Sequence, residues 1–229
     1  MYSIVNNHEG FLLINKHPGV TFHKNEEAKG LIDVLRTDLH VDELYSVHRL
    51  DRMTSGLLLF ARNRDNTKEL SRQFQHQEME KYYLAISDRR PKKKQGIIKG
   101  DMERARRGAW KLVRTLKNPA VTQFFSYSFG EGLRFFILKP HTGKTHQIRV
   151  AMKSIGSPVL GDPVYHKKAA GDKEPDRGYL HSYALRFQLK EEVFEFIHLP
   201  DVGEYFLSDG CKGIVKNMNK PWEQGWPSI

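Results

Sequence analysis

Cysteine is almost absent from this chain: Cys211 is the single one in 229 residues. No internal disulfide can form, and a zinc site built on thiolates has no ligands to draw on. Long apolar runs are missing as well, since nothing approaches the roughly 20 residues that span a bilayer. The opening "MYSIVNNHEGFLLINKHPG" shows no basic leader, extended apolar core or small-residue cleavage site. These absences lead to the expectation of a soluble, cytoplasmic monomer with no membrane partner. Disorder is excluded by the opposite kind of evidence: 39% hydrophobic residues, 13 Phe and 9 Tyr are enough to build a core. One domain covering residues 1–229 is the working expectation.

Acidic residues are scarce in one region only. The chain carries 37 Lys and Arg against 27 Asp and Glu, a formal net charge of +10. Residues 81–117 hold 13 of the basic residues and only Asp88, Asp101 and Glu103 as acids, so the whole excess lies there. Such runs are usually solvated faces. Here Trp110 and Met102 are interleaved, which favours a nucleic-acid-contacting segment at 89–117 with Lys92, Lys93, Lys94, Arg104, Arg106 and Arg107 as its cations. Gly96, Gly100 and Gly108 suggest a mobile arm, able to engage about four phosphates.

The rest reads as strands with few helices. "FLLIN", "LYSV" and "LLLFAR" are strand-like, and Asp65 or Asn66 can cap a helix bearing Leu70 and Phe74. "YYLAIS" is an aromatic strand in which alternation should send only one of Tyr82 and Tyr83 inward. "VTQFFSYS" and "LRFFILKP" are two more strands, and a helix is expected over about 145–155, capped by Thr145, with Ile148, Ala151, Met152 and Ile155 on its apolar face. A last hairpin, "LRFQLK" with "VFEFIHL", precedes a tail expected to be irregular from about 207. The pattern predicts an α+β fold with a mostly antiparallel sheet.

Chemistry concentrates in "VHRLDRMTSGLLLFAR". Asp51 lies between Arg49 and Arg52, just ahead of an apolar strand, and a carboxylate so near a core needs partners to stay ionised. A turn-fixing ion pair is the ordinary reading of such a residue. His48 with Asp51, or His141 with His146, lacks the spacing of a metal site, and backbone-bonded histidines are the ordinary alternative. "KPHTGKTHQIR" sets a glycine loop and Lys144 at a helix start, a geometry suited to phosphate.

In order, "HRLDRMTSG", "KYYLAI", "TGKTHQIRV" and "GDPVY" make the chain resemble the RluA-type pseudouridine synthases, from "LLINKHPG" to at least "LHSYAL". The resemblance implies an antiparallel sheet with a central catalytic cleft and a uridine flipped out of RNA into it. It also implies that Asp51 is the catalytic aspartate, Tyr83 the tyrosine that stacks on the base, and Arg149 the arginine paired with the aspartate. Arg49 and Lys144 would contact the RNA. Turning uridine into pseudouridine exchanges an N1 for a C5 glycosidic bond without redox change, so no cofactor or metal is expected. The partner implied is a tRNA or rRNA stem-loop.

Two positions depart from the family pattern. Lys144 stands where an Arg is usual, keeping the charge and losing the bidentate fork, and Ala151 stands where a His is usual. With the motif-bearing region beginning so early, no separate N-terminal RNA-binding module is expected. A non-catalytic RNA-binding or RNA-folding protein and an aspartate-based nucleoside hydrolase are the alternatives. The intact trio argues against the first and the basic segment against the second.

Overall fold

The computed structural model describes residues 1–22, 30–130, 132–168, 171 and 173–229. They fall into two compact units: residues 1–80 with 182–199, and residues 81–181 with 200–229. Among the described residues, no helix is long and apolar enough to cross a membrane.

In the first unit, β1 (Tyr2–Asn7) pairs antiparallel with β2 (Phe11–Lys16), which pairs antiparallel with β4 (Ser55–Ala61). The short β3 (Tyr45–Ser46) also joins β4. β10 (Leu180–Leu189), whose residues from 182 onward belong here, lies beside β4 and forms a hairpin with β11 (Glu192–Ile197). Every residue of β2 and β4 is buried, as their near-continuous apolar runs require of strands covered on both faces. Gly56 in β4 is obligatory: its φ is +102°, and a Cβ there would lie 2.2 Å from the Ser182 carbonyl oxygen. Among the described residues this unit also holds the helices α1 (Leu31–Leu39) and α2 (Arg64–Gln75). α2 is capped by Asn63, whose side chain accepts from the Asn66 amide, instead of by the expected Asp65 or Asn66. Gln73 clips α2 to β10 by bonding both backbone groups of Gln188.

The second unit is an antiparallel sheet in the order β5-β9-β8-β6-β7. Its strands are β5 (Glu80–Ser87), β6 (Gln95–Arg104), β7 (Trp110–Val113), β8 (Ala120–Ser128) and β9 (Arg134–Pro140). Its helices are α3 (Gln147–Ser154) and, in the tail, α4 (Asp209–Val215). The tail is thus partly regular, because Ser208 accepts from the Cys211 amide and starts a helical turn that the sequence pattern does not signal.

Two further expectations are corrected. Tyr82 and Tyr83 are both buried, at 0% and 9% exposure, so alternation does not send one of them to solvent. The face of β5 that carries Tyr82 is covered by the Trp226 and Trp222 rings, 5.7 and 6.4 Å from its own, and by the Lys139 ammonium, 5.2 Å from the same ring. The basic segment, in turn, is built as sheet. β6 pairs with β8 along its first half and with β7 along its second, and Gly100 sits where a Cβ would meet the Val113 carbonyl oxygen at 2.3 Å. That glycine serves close packing of strands, not hinge motion.

Candidate active site

Asp51 is half-buried in the first unit, in the loop that delivers the chain into β4. Its carbonyl accepts from the Thr54 amide at 3.0 Å, closing a tight turn. The next residue is clamped from two sides. The Arg52 carbonyl accepts from the Gly19 amide at 2.8 Å, and the Arg52 Nε donates back to the Gly19 carbonyl at 3.1 Å. Lys16, fully buried at the end of β2, directs its ammonium at the carbonyls of His17, Val20 and Arg52, at 3.1, 3.1 and 3.3 Å. An interior ammonium is tolerable only when its protons are so engaged. Lys16 therefore stitches the Pro18-Gly19 turn to the Asp51 loop, a role the sequence reading missed although "NKHPG" was in view. His48 is backbone-bonded, its Nε2 accepting from the Leu59 amide at 2.9 Å, and Arg49 is exposed.

Tyr83 and Arg149 belong to the second unit. Tyr83 is the first residue of β5 in register with β9, opposite Leu138. Arg149 lies on α3 at 5% exposure and forms a bidentate pair with the buried Asp162, Nε to Oδ2 at 2.7 Å and Nη2 to Oδ1 at 2.9 Å. Asp162 Oδ1 also accepts the amides of Val164 and Tyr165, at 2.8 and 3.1 Å. This fork fixes the guanidinium plane, which a lysine could not supply. Asp162 was visible as the acid of "GDPVY" but carried no assigned role, because a partner 13 residues away and outside the helix leaves no periodic signal.

α3 does not begin as expected. His146, in the left-handed conformation at φ +57°, replaces Thr145 as the cap residue. Gln147 then takes over the loop: its Oε1 accepts from Thr142 Oγ1 at 2.6 Å and from the Lys144 amide at 3.0 Å, while its Nε2 bonds Val121 O and Thr122 Oγ1. The Lys144 ammonium bonds the Asn118 carbonyl. His141 bonds Gln123 at 2.6 Å.

The basic residues divide into two groups. Lys92–94 precede β6 and Arg104 ends it, with Arg106 and Arg107 in the following turn. Ten residues of strand at about 3.4 Å each put the two groups about 30 Å apart. Arg104 faces Trp110 across the hairpin, its guanidinium 5.7 Å from the indole centroid. The far end of the segment is pinned too. Asp101 accepts from the amides of Lys117 and Asn118 at 3.0 and 2.9 Å, and a Thr115 side-chain bond is the largest of the effects that hold its carboxyl below the usual range. Burial, by contrast, lowers the Lys81 ammonium to about 8.

Residues 10–154 match the profile of a family described as RNA pseudouridylate synthase. A Haemophilus influenzae protein named "Uncharacterized RNA pseudouridine synthase" is 48% identical over 204 residues, 89% of this chain and 90% of that one. "Dual-specificity RNA pseudouridine synthase RluA" of Salmonella typhi is 30% identical over 194 residues, 83% and 84% of the two chains. Among solved structures, "Human RNA Pseudouridylate Synthase Domain Containing 1" superposes with a TM-score of 0.76 at 24% identity, covering 100% of this chain and 97% of that one, which is a likeness of fold. The α+β, mostly antiparallel architecture, the ordered motifs and these relatives converge: the chain belongs to the RNA pseudouridylate synthase family, and is an isomerase of that class.

Proposed function

We propose that this protein converts a specific uridine in a structured tRNA or rRNA to pseudouridine, with Asp51 as its catalytic carboxylate, acting in the cytoplasm as a monomer without cofactor. The observation that carries the reading is the clamped turn at Asp51, in which Lys16 and Gly19 hold the neighbouring Arg52 carbonyl. A side chain that must meet one sugar carbon needs that rigidity.

The glycosidic bond from N1 to C1′ breaks, the uracil turns, and C5 bonds to C1′. The C5 proton leaves and N1 ends protonated, so product and substrate are isomers. An ionised Asp51 serves either by attacking C1′ or by removing a ribose proton to give a glycal. Tyr83 stacks on the extruded base and its hydroxyl takes part in the later proton removal from C5. Arg149, oriented by Asp162, supplies fixed positive charge to the reaction. Arg49 and Lys144 contact the RNA backbone, and Lys92, Lys93, Lys94, Arg104, Arg106 and Arg107 carry the electrostatic part of binding.

The test is tritium release from C5-labelled uridine in RNA. Asp51→Asn should abolish release and keep RNA affinity, whereas turnover near the wild-type rate overturns the assignment. Single-base pseudouridine mapping in cells with and without the gene identifies the target.

A further inference from the structure

Tyr165 joins two parts of the second unit that the chemistry assigns to different tasks. It is buried at 5% exposure. Its hydroxyl oxygen accepts the backbone N–H of Trp110, the first residue of β7, at 2.8 Å, and lies 3.0 Å from His146 Nδ1. The face of its ring carries Arg149, whose guanidinium carbon is 5.1 Å from the centroid. Its own amide donates to Asp162, the carboxylate that holds Arg149 in the bidentate pair. His146, edge-on to the ring at 5.7 Å, is the residue from which α3 starts, three positions before Arg149.

β7 is a four-residue strand at the end of this unit's sheet order, and such a strand frays unless something holds it. The Tyr165 hydroxyl is that restraint at the end where the hairpin turn enters. Trp110 sits directly across from Arg104, and the turn between them bears Arg106 and Arg107. A phosphate drawn to these arginines therefore pulls on a hairpin whose anchor is the ring beneath Arg149.

We propose that Tyr165 is a positioning residue that couples occupancy of the β6–β7 hairpin tip by RNA to the placement of the Arg149 guanidinium. The inference rests on the reading of Arg149 as catalytic and of the hairpin as an RNA contact. It goes beyond that reading by naming the side chain that connects them. The consequence is substrate discrimination in turnover: an RNA that fails to engage the hairpin tip meets an Arg149 that is less well held.

A double-mutant cycle on kcat tests it. Tyr165→Phe keeps the ring under Arg149 and removes the anchor for the Trp110 amide, and should lower kcat about tenfold, as small misplacements of catalytic groups do. Arg106→Gln with Arg107→Gln should lower kcat similarly and raise KM. Combined, the changes should lower kcat no further, because both interrupt one connection. Additive losses of kcat, or an unchanged kcat in Tyr165→Phe, overturn the proposal; a residue that only supports the fold would lower the melting temperature and leave the arginine effect intact.

A second measurement needs no turnover. In Asp51→Asn protein, unmodified tRNA and rRNA transcripts should shift the Arg149 Nε–H resonance, and adding Tyr165→Phe should remove that shift. The shift persisting in the double variant, or absent in Asp51→Asn itself, sinks the coupling. A shift obtained with wild-type protein that releases no tritium would sink the catalytic reading while the coupling stands.

Discussion

The two units differ most in charge. Residues 1–80 with 182–199 carry 12 Lys and Arg against 15 Asp and Glu, a net of −3, whereas 81–181 with 200–229 carry 25 against 12, a net of +13. Their interiors differ as well. The first unit packs an aromatic and aliphatic cluster in which Phe11 meets Phe194 and Phe187 at 5.0 and 5.3 Å, and the deeply buried ammonium of Lys16 is satisfied by loop carbonyls. The second unit buries an ion pair, Arg149 with Asp162, and holds separate polar contacts of Gln147 with Val121 and Thr122 and of Tyr165 with His146. One unit thus holds the backbone of the Asp51 loop in place through Lys16 and Gly19. The other combines a polyanion-attracting surface with a tuned polar interior, and association steered by charge falls on it.

The comparison breaks first at the buried pair. Asp162→Ala removes the bidentate partner of the buried Arg149 in the second unit, which should cost about 3–5 kcal/mol in chemical denaturation and abolish turnover. A loss under 1 kcal/mol would mean that the interior there is not governed by this pair. The corresponding cut in the first unit is Lys16→Met, which removes the ammonium's bonds to His17, Val20 and Arg52. It should cost about 3 kcal/mol and lower kcat for a bound RNA with little change in affinity.

A smaller and pH-dependent effect separates the units further. Lys81 begins the strand region of Tyr83 and its ammonium is lowered by burial to about 8 from 10.5. Between those values the folded chain has lost a proton that the unfolded chain still binds, so this residue makes stability rise with pH from 8 to 10.5. The rise should be on the order of 2 kcal/mol and be missing in Lys81→Met. Urea midpoints of the two proteins across that range measure it, and parallel curves would contradict it. Cys211 works in the opposite sense: burial raises its thiol to about 12 from 9.0, so its contribution is whole below 9 and declines above.

The smallest stability effects accompany changes in the salt dependence of RNA binding. Arg104, Arg106 and Arg107 to Gln, and separately Lys92, Lys93 and Lys94 to Gln, should each flatten the log–log salt slope by roughly 0.7–0.9 per lost phosphate contact. Thermal stability should move by no more than about 0.5 kcal/mol, as expected of exposed side chains. Lys68→Gln with Lys190→Gln in the first unit, both well exposed, should leave the slope alone. A slope that flattens equally in that control would erase the distinction between the units. Because about 30 Å of strand separates the two cationic groups, their slopes should add.

Much of this was legible beforehand for one physical reason. The motifs keep their residue types at fixed chain positions, so the stretches around Asp51, Tyr83 and Arg149 carry the family resemblance, and apolar runs such as "FLLIN" and "LLLFA" are strands because both faces are buried. Local rules also had local failures. Asn63 outcompeted Asp65 and Asn66 as a cap because its side chain reaches the Asn66 amide, and His146 stands at the cap of α3 in place of Thr145, with the preceding loop folded back onto the Gln147 side-chain amide.

In the sequence, ordered motifs that resemble a known family determined the family and the isomerase class, and composition and short spacing determined the antiparallel strand pattern and the location of the excess charge. Only the tertiary structure decided what covers Tyr82, that Lys16 holds a loop 36 residues away, and that the basic segment is paired as sheet with cations at both ends of β6. It also brought the Trp110 amide to the Tyr165 hydroxyl, 55 residues along the chain. These are contacts between distant positions, made when burial forces each polar group to find a partner, and no periodicity along a chain records which partner that will be.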